Sequence, residues 1–189
     1  MDKINTRISE QKDAIKSLPP ESLAALYEEH SKRVLSAAFR VTGSRQDAED
    51  VLQTVFLRLT RRWEKVVLTD TVGAYLHRAA VNGSLDLLRS RSRSSSIPLD
   101  DMAELSDTGE ASAERLMHGG EFRRDLREAL LGIPHKSAQV FVLRYFEGLR
   151  NGEIASMLGM RRVTVAVMLH RTRKQLQSKL QQFVEGEAS

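Results

Sequence analysis

The chain has 189 residues, no cysteine, and 29 Lys and Arg against 25 Asp and Glu, for a net charge of +4. Without thiols, disulfides, thiolate metal sites, cysteine nucleophiles and thiol redox sensing are excluded, and no apolar run approaches the roughly 18 residues that a bilayer span requires. The opening stretch, MDKINTRISEQKDAIK, lacks the apolar core of a signal peptide, so a soluble, cytoplasmic chain is expected.

Apolar residues recur at helical spacing and no run alternates as a strand does, which points to an all-α fold. After a polar N-terminal extension, residues 1–20, the stretch ESLAALYEEHSKRVLSAAFRVTG forms a first amphipathic helix that Gly43 ends in the left-handed conformation. Ser44 caps the next helix, with Asp47 three residues on in the place of a capping-box acid. Along that second helix Ala48, Val51, Leu52, Val55, Phe56, Leu59 and Trp63 make one inward stripe. Asp47, Asp50, Gln53, Thr54 and Arg58 are left facing out.

EKVVLTD is expected as a loop leading to a third helix, TVGAYLHRAAVNGSLDLLRSRSR, with Val72, Leu76, Ala79, Ala80 and Leu87 inward and a basic far end. The composition then turns serine-rich and acidic around Pro98, with too few large apolar residues for a core, so residues 94–120 are expected as a flexible linker. Beyond it a four-helix unit follows, its third helix starting near Asn151 and its fourth near Arg162. The expectation is two small helical domains, residues 21–93 and 121–183, joined by a tether and followed by a short tail, residues 184–189.

Enzyme motifs are absent from the sequence: there is no P-loop, GxGxxG, HExxH or GxSxG pattern, and His30, His77, His118, His135 and His170 lie scattered without ligand spacing. No catalytic activity, cofactor or metal is expected. EIASMLGMRRVTVAVMLHRTRKQL, in contrast, reads as a helix-turn-helix. Ala155 is small where two helices approach, Gly159 permits the turn, and Ile154, Leu158, Met160, Val165 and Leu169 are apolar where they pack. Between Arg150 and Leu180 there are seven Lys or Arg and one acidic residue, Glu153, a balance suited to phosphate contacts.

At about 100 degrees per residue, Leu169, Thr172 and Leu176 share the face of Val165, whereas Val163, Val167, His170 and Lys174 project the other way. Two exposed valines one turn apart suit thymine methyl groups in the major groove, with Arg161, Arg162, Arg171, Arg173 and Lys174 supplying base-edge or phosphate contacts. They also suit a protein partner, although the patch is small for that.

These blocks carry a family resemblance. SRQDAEDVLQTVFLRL resembles the polymerase-docking helix of sigma region two, and AYLHRAAVNGSLDLLRSRSR resembles the part that melts and holds the downstream promoter element. VFVLRYFEGLRNGEIASMLGMRRVTVAVMLHRTRKQL resembles region four, which binds the upstream element. Over residues 23–180 the chain is thus similar to bacterial sigma factors of the extracytoplasmic-function type, within the sigma-70 family.

The resemblance implies core RNA polymerase contacts from Asp47, Asp50, Gln53, Thr54 and Arg58, and downstream-element contacts from Arg78, Asn82 and Arg89. It places upstream-element contacts at Arg161, Arg162, Val163, Thr164, Val167, His170, Arg171, Arg173 and Lys174. Core RNA polymerase and promoter DNA are the implied partners, and an anti-sigma protein is a further one. Two other readings stand beside it: a sigma-like decoy that binds an anti-sigma protein without supporting transcription, and a plain helix-turn-helix regulator. The sequence departs from the family pattern at Val81, where a basic residue is common, and at Ala166, Val167 and Met168, where a polar run is common.

Overall fold

The computed structural model describes residues 20–69, 72–94 and 113–187, with side chains over 22–63, 72–93, 120 and 122–181. Among the described residues the chain is helical and strandless: α1 (Pro20–Thr42), α2 (Arg45–Thr69), α3 (Val72–Ser94), α4 (Ala113–Leu131), α5 (His135–Tyr145), α6 (Asn151–Leu158) and α7 (Arg162–Glu187).

The α1–α2 corner forms where the sequence places it. Gly43 sits at φ 72° and donates its N–H to the Phe39 carbonyl at 2.8 Å. Ser44 Oγ then accepts the Asp47 N–H at 3.3 Å, which satisfies a donor of the first turn of α2. A Cβ at Gly43 would lie 2.1 Å from Arg127 Nη2, so the position excludes a side chain for two reasons, its backbone angle and a close approach from α4.

Three boundaries differ from expectation. The stretch expected as a loop from Glu64 continues α2 as far as Thr69, because no glycine or proline interrupts it and Glu and Lys favour the helix. The stretch expected as linker is helical from Ala113, since AERLM is built of strong helix formers. The remaining linker, 95–112, and residues 1–19 of the extension lie outside the described residues, while 184–187 of the expected tail continue α7.

Helices α1 to α3 enclose one core, made by Val34, Ala37 and Ala38 of α1, the Ala48, Val51, Leu52, Val55, Phe56 and Leu59 stripe of α2, and Leu76 and Ala80 of α3. Trp63, Val72, Ala79 and Leu87 pack against it partly buried, so both expected stripes face inward. A second core links α4 to α7 through Leu130, Ile133, Leu143, Ile154, Val165, Leu169 and Leu176.

That second core does not stop at the C-terminal helices. Val41 of α1 and Val81, Leu85 and Leu88 of α3 belong to it, each no more than 2% exposed. Full burial of a Val or Leu side chain contributes about 1.5–3 kcal/mol, more than a typical net hydrogen bond of about 0.5–1.5 kcal/mol. The two helical units are therefore joined by apolar packing at these four residues, beside the polar contacts between them. Val81, apolar where the family pattern is often basic, is one of them.

Candidate nucleic-acid and polymerase interfaces

The helix-turn-helix is built from local signals. Arg150 N–H donates to Glu153 Oε2 at 2.6 Å, which ties the start of α6. Gly159 closes the helix at φ 61°, and the Met160 N–H returns to the Ala155 carbonyl at 2.8 Å. Ile154 and Val165 are fully buried where α6 meets α7, and Leu169, Thr172 and Leu176 follow Val165 on the inward face.

The outward face of α7 matches the sequence reading. Val163 is 74% and Val167 45% exposed. Arg161, Arg162, Thr164, His170, Arg171, Arg173 and Lys174 are all exposed around them. Each step from Val163 to Val167 to His170 and then Arg171, Arg173 and Lys174 keeps to the side turned away from the core, so one helix face carries two valines and a cationic border.

On α2, Asp50, Gln53, Thr54 and Arg58 are exposed as expected. Leu57 joins them at 59% exposure, an apolar side chain on an otherwise polar face. The sequence signal for it was available: Leu57 sits one position off the Val55, Phe56 and Leu59 stripe and one turn from Gln53 and Thr54.

Asp47 does not belong to that face, which corrects the expectation that it points outward. It is 2% exposed. Arg91 Nη1 donates to Asp47 Oδ2 at 2.8 Å, and Arg91 Nη2 pairs with Oδ1, a two-pronged contact from α3 to the start of α2. The reason is positional. At the first turn, Asp47 lies beside the corner where the basic end of α3 passes, and a carboxylate buried there requires a cationic partner.

The residues expected to hold the downstream element lie against the C-terminal unit. Arg78 Nη1 donates to the Met157 carbonyl at 2.7 Å, and Arg89 Nη2 donates to the Ile133 carbonyl at 2.8 Å. Asn82, between them on α3, has its Oδ1 buried with no hydrogen-bond partner among the described residues.

Glu147, just past α5, is the polar centre of the same contact. Its carboxylate is 3% exposed and receives Arg40 Nε at 2.8 Å on one oxygen. The other oxygen receives Arg40 Nη2 at 2.6 Å and His77 Nε2 at 2.7 Å. Arg33 Nη2 lies 3.4 Å from His77 Nδ1. Because a guanidinium only donates, Nδ1 accepts and the ring proton sits on Nε2, which donates to Glu147. Burial alone would raise the Glu147 carboxyl; the hydrogen bonds from His77 and Arg40 and the Arg40 charge outweigh it and hold the group at about 2. The hydrogen bond to Glu147 in turn raises the Arg40 guanidinium above its ordinary value, against burial.

Two further contacts lie along the seam. Arg127 Nε donates to the Val41 carbonyl at 3.1 Å; burial, and then the nearby Arg123 charge, lower its guanidinium from the ordinary value. His135 Nε2 lies 3.1 Å from Asp86 Oδ1. No local pattern in the sequence marks Glu147 or His77 as partners, since 70 residues separate them.

Among the described residues no cluster of His, Asp and Glu is arranged to hold a metal ion, and no helix is long and apolar enough to cross a membrane.

Comparison with known proteins accounts for both units. Residues 26–94 match the family model for Sigma-70 region 2, and residues 123–176 match that for Sigma-70, region 4. The chain is 32% identical over 155 residues to the ECF RNA polymerase sigma factor SigE of Mycolicibacterium smegmatis, covering 82% of this chain and 60% of that protein. It is 31% identical over 149 residues to the RNA polymerase sigma-E factor of Streptomyces coelicolor, covering 78% of this chain and 79% of that one. Among solved structures, CnrH in complex with the cytosolic domain of CnrY aligns over 89% of this chain and 94% of its own, with a TM-score of 0.53 and 21% identity, a likeness of fold. The order of the two matched regions, the helix-turn-helix within the second and the identity to sigma-factor relatives agree: the chain belongs to the sigma-70 family, as an RNA polymerase sigma factor of the extracytoplasmic-function type.

Proposed function

We propose that this sigma factor acts in the cytoplasm as a non-catalytic specificity subunit, with residues 21–93 and 121–183 as its two working units. The exposed side of α2 docks on core RNA polymerase through Asp50, Gln53, Thr54 and Arg58, with Leu57 as the apolar anchor among them. Such an anchor within a polar rim is the usual make-up of an energetically important contact. Asp47 supports this surface from beneath by fixing the start of α2 to Arg91.

In this reading α7 enters the major groove of the upstream element. Val163 and Val167 pack on thymine methyl groups, and Arg161, Arg162, Thr164, His170, Arg171, Arg173 and Lys174 contact base edges and phosphates around them. As the promoter opens, Asn82 offers its amide to an unstacked base while Arg78 and Arg89 hold the backbone of the single strand. An anti-sigma protein is a further partner of the class.

The observation that carries the reading is the outward face of α7, where two exposed valines stand inside a ring of cations. Its test is electrophoretic or fluorescence titration of the full chain, bound to core polymerase, against promoter duplex. Val167→Asp is expected to weaken upstream-element binding while leaving affinity for core polymerase as it was. Equal binding of promoter by the variant would refute it.

A further inference from the structure

The outward stripe of α7 is defined as much by what it lacks as by what it carries. From Arg161 to Lys174 the sequence has no Asn, Gln, Asp or Glu, so no amide can pair with an adenine edge and no carboxylate can accept from the cytosine amino group. The next amide, Gln175, stands about 12 Å further along the helix than Val167. The guanidiniums and the ammonium around the stripe only donate, which suits guanine O6 and N7 or phosphate oxygens.

Two isopropyl groups stand at the centre of the stripe. Val163 is 74% and Val167 45% exposed, both in the first two turns of α7, where a helix lying in the major groove meets base edges. They are one turn apart, about 6 Å of rise, which spans about two base steps of roughly 3.4 Å. An isopropyl group neither donates nor accepts, and the feature of the groove that matches it is the methyl group at pyrimidine C5. Thymine carries that methyl and so does 5-methylcytosine; uracil and cytosine do not. The C4 substituent, an acceptor oxygen on one base and a donor amino group on the other, is a difference that a valine cannot detect.

We propose that Val163 and Val167 recognise the C5 methyl group itself at two pyrimidines about two base pairs apart, so that 5-methylcytosine serves there in place of thymine and a cytosine is read only when it is methylated. The proposal rests on the reading that α7 enters the major groove, and it adds a regulation to that site: the methylation state of the DNA selects which upstream elements the chain holds. Burial of one methyl-sized apolar group is worth about fourfold in affinity, and two independent positions together about sixteenfold.

The test uses the full chain bound to core polymerase and a duplex that this holoenzyme enriches from a pool of random sequence. Each pyrimidine of the enriched upstream element is then varied in two pairs that differ by the methyl group alone: thymine against uracil, opposite adenine, and 5-methylcytosine against cytosine, opposite guanine. Both contrasts are expected at the same two positions, about fourfold at each. Val163→Ala and Val167→Ala are each expected to remove one of them, with helicity retained by circular dichroism. An element indifferent to uracil at every position overturns the methyl recognition, and Val167→Asp then separates the causes. If that variant still weakens binding, α7 remains the groove helix and only the methyl recognition falls; if it does not, the groove placement has failed as well. A thymine contrast with no 5-methylcytosine contrast at the same position overturns the equivalence of the two bases. Contrasts that persist in both alanine variants overturn the assignment to the valines. A holoenzyme that enriches no sequence overturns the proposal together with the groove placement, and leaves the valines to a protein partner.

Discussion

Replacing Asp47 with Ala removes a carboxylate that is 2% exposed and takes both prongs of the Arg91 guanidinium. Hydrogen bonds to charged groups contribute about 1.5–3 kcal/mol each when buried, but Arg91 is 45% exposed and regains water once released, which lowers the net loss. A destabilisation of about 2 kcal/mol is expected, equivalent to a fall in Tm of about 4–8 °C for a chain of this size. Asp50→Lys, on the exposed side of the same helix three residues away, is expected to change Tm by less than the equivalent of about 0.5 kcal/mol. The two variants should exchange roles in a binding assay: Asp50→Lys loses affinity for core polymerase, whereas Asp47→Ala keeps it at temperatures where the variant remains folded. Thermal melts followed by circular dichroism, with polymerase titrations on the same preparations, measure both. An Asp47→Ala protein that melts with the parent yet fails to bind polymerase would refute the structural role of the Asp47–Arg91 pair.

Three other outcomes are expected. Arg171→Ala should lower the salt dependence of promoter-duplex binding by about one phosphate contact, a change of about 0.9 in the slope of log affinity against log salt concentration. Glu147 has a folded carboxyl held at about 2 against an ordinary 4.5, so its contribution to interdomain closure is complete above about 4.5 and is lost as the pH falls through about 2; that window carries roughly 3 kcal/mol, and Glu147→Gln should flatten the pH dependence of scattering there. Leu130→Ala, at a site 1% exposed in the C-terminal core, should cost about 2–5 kcal/mol in chemical denaturation.

Much of the fold is legible in the sequence because its signals are local. The α1–α2 corner follows from Gly43 and Ser44, the α2 stripe from helical spacing, and the turn before α7 from Gly159. The solvent-facing side of α7 follows from the same geometry, and Val163 and Val167 stand where a helical wheel puts them. The extension of α2 past Glu64 was not legible, since apolar, β-branched Val66 and Val67 read equally as a break in the pattern. Asp47 misled for a related reason: a helical wheel separates faces within one helix and says nothing of the arginine that another helix brings to it. Glu147, His77 and Arg40 come from three distant segments, and the turn of Arg78, Asn82 and Arg89 toward the C-terminal unit depends on packing between units. Only Val81, apolar where a basic residue is common, gave a hint of that seam.

The most direct measurement of the account is run-off transcription from a fragment library of the source genome, with core polymerase reconstituted with the chain or with its Asp50→Lys, Asn82→Ala and Val167→Asp variants. Discrete transcripts are expected only when the parent chain is added. Asp50→Lys should lose them through failed polymerase binding, Val167→Asp through failed duplex binding, and Asn82→Ala through failed opening with closed-complex binding retained. No chain-dependent transcript from a complex in which the parent chain is bound to core polymerase would contradict the account.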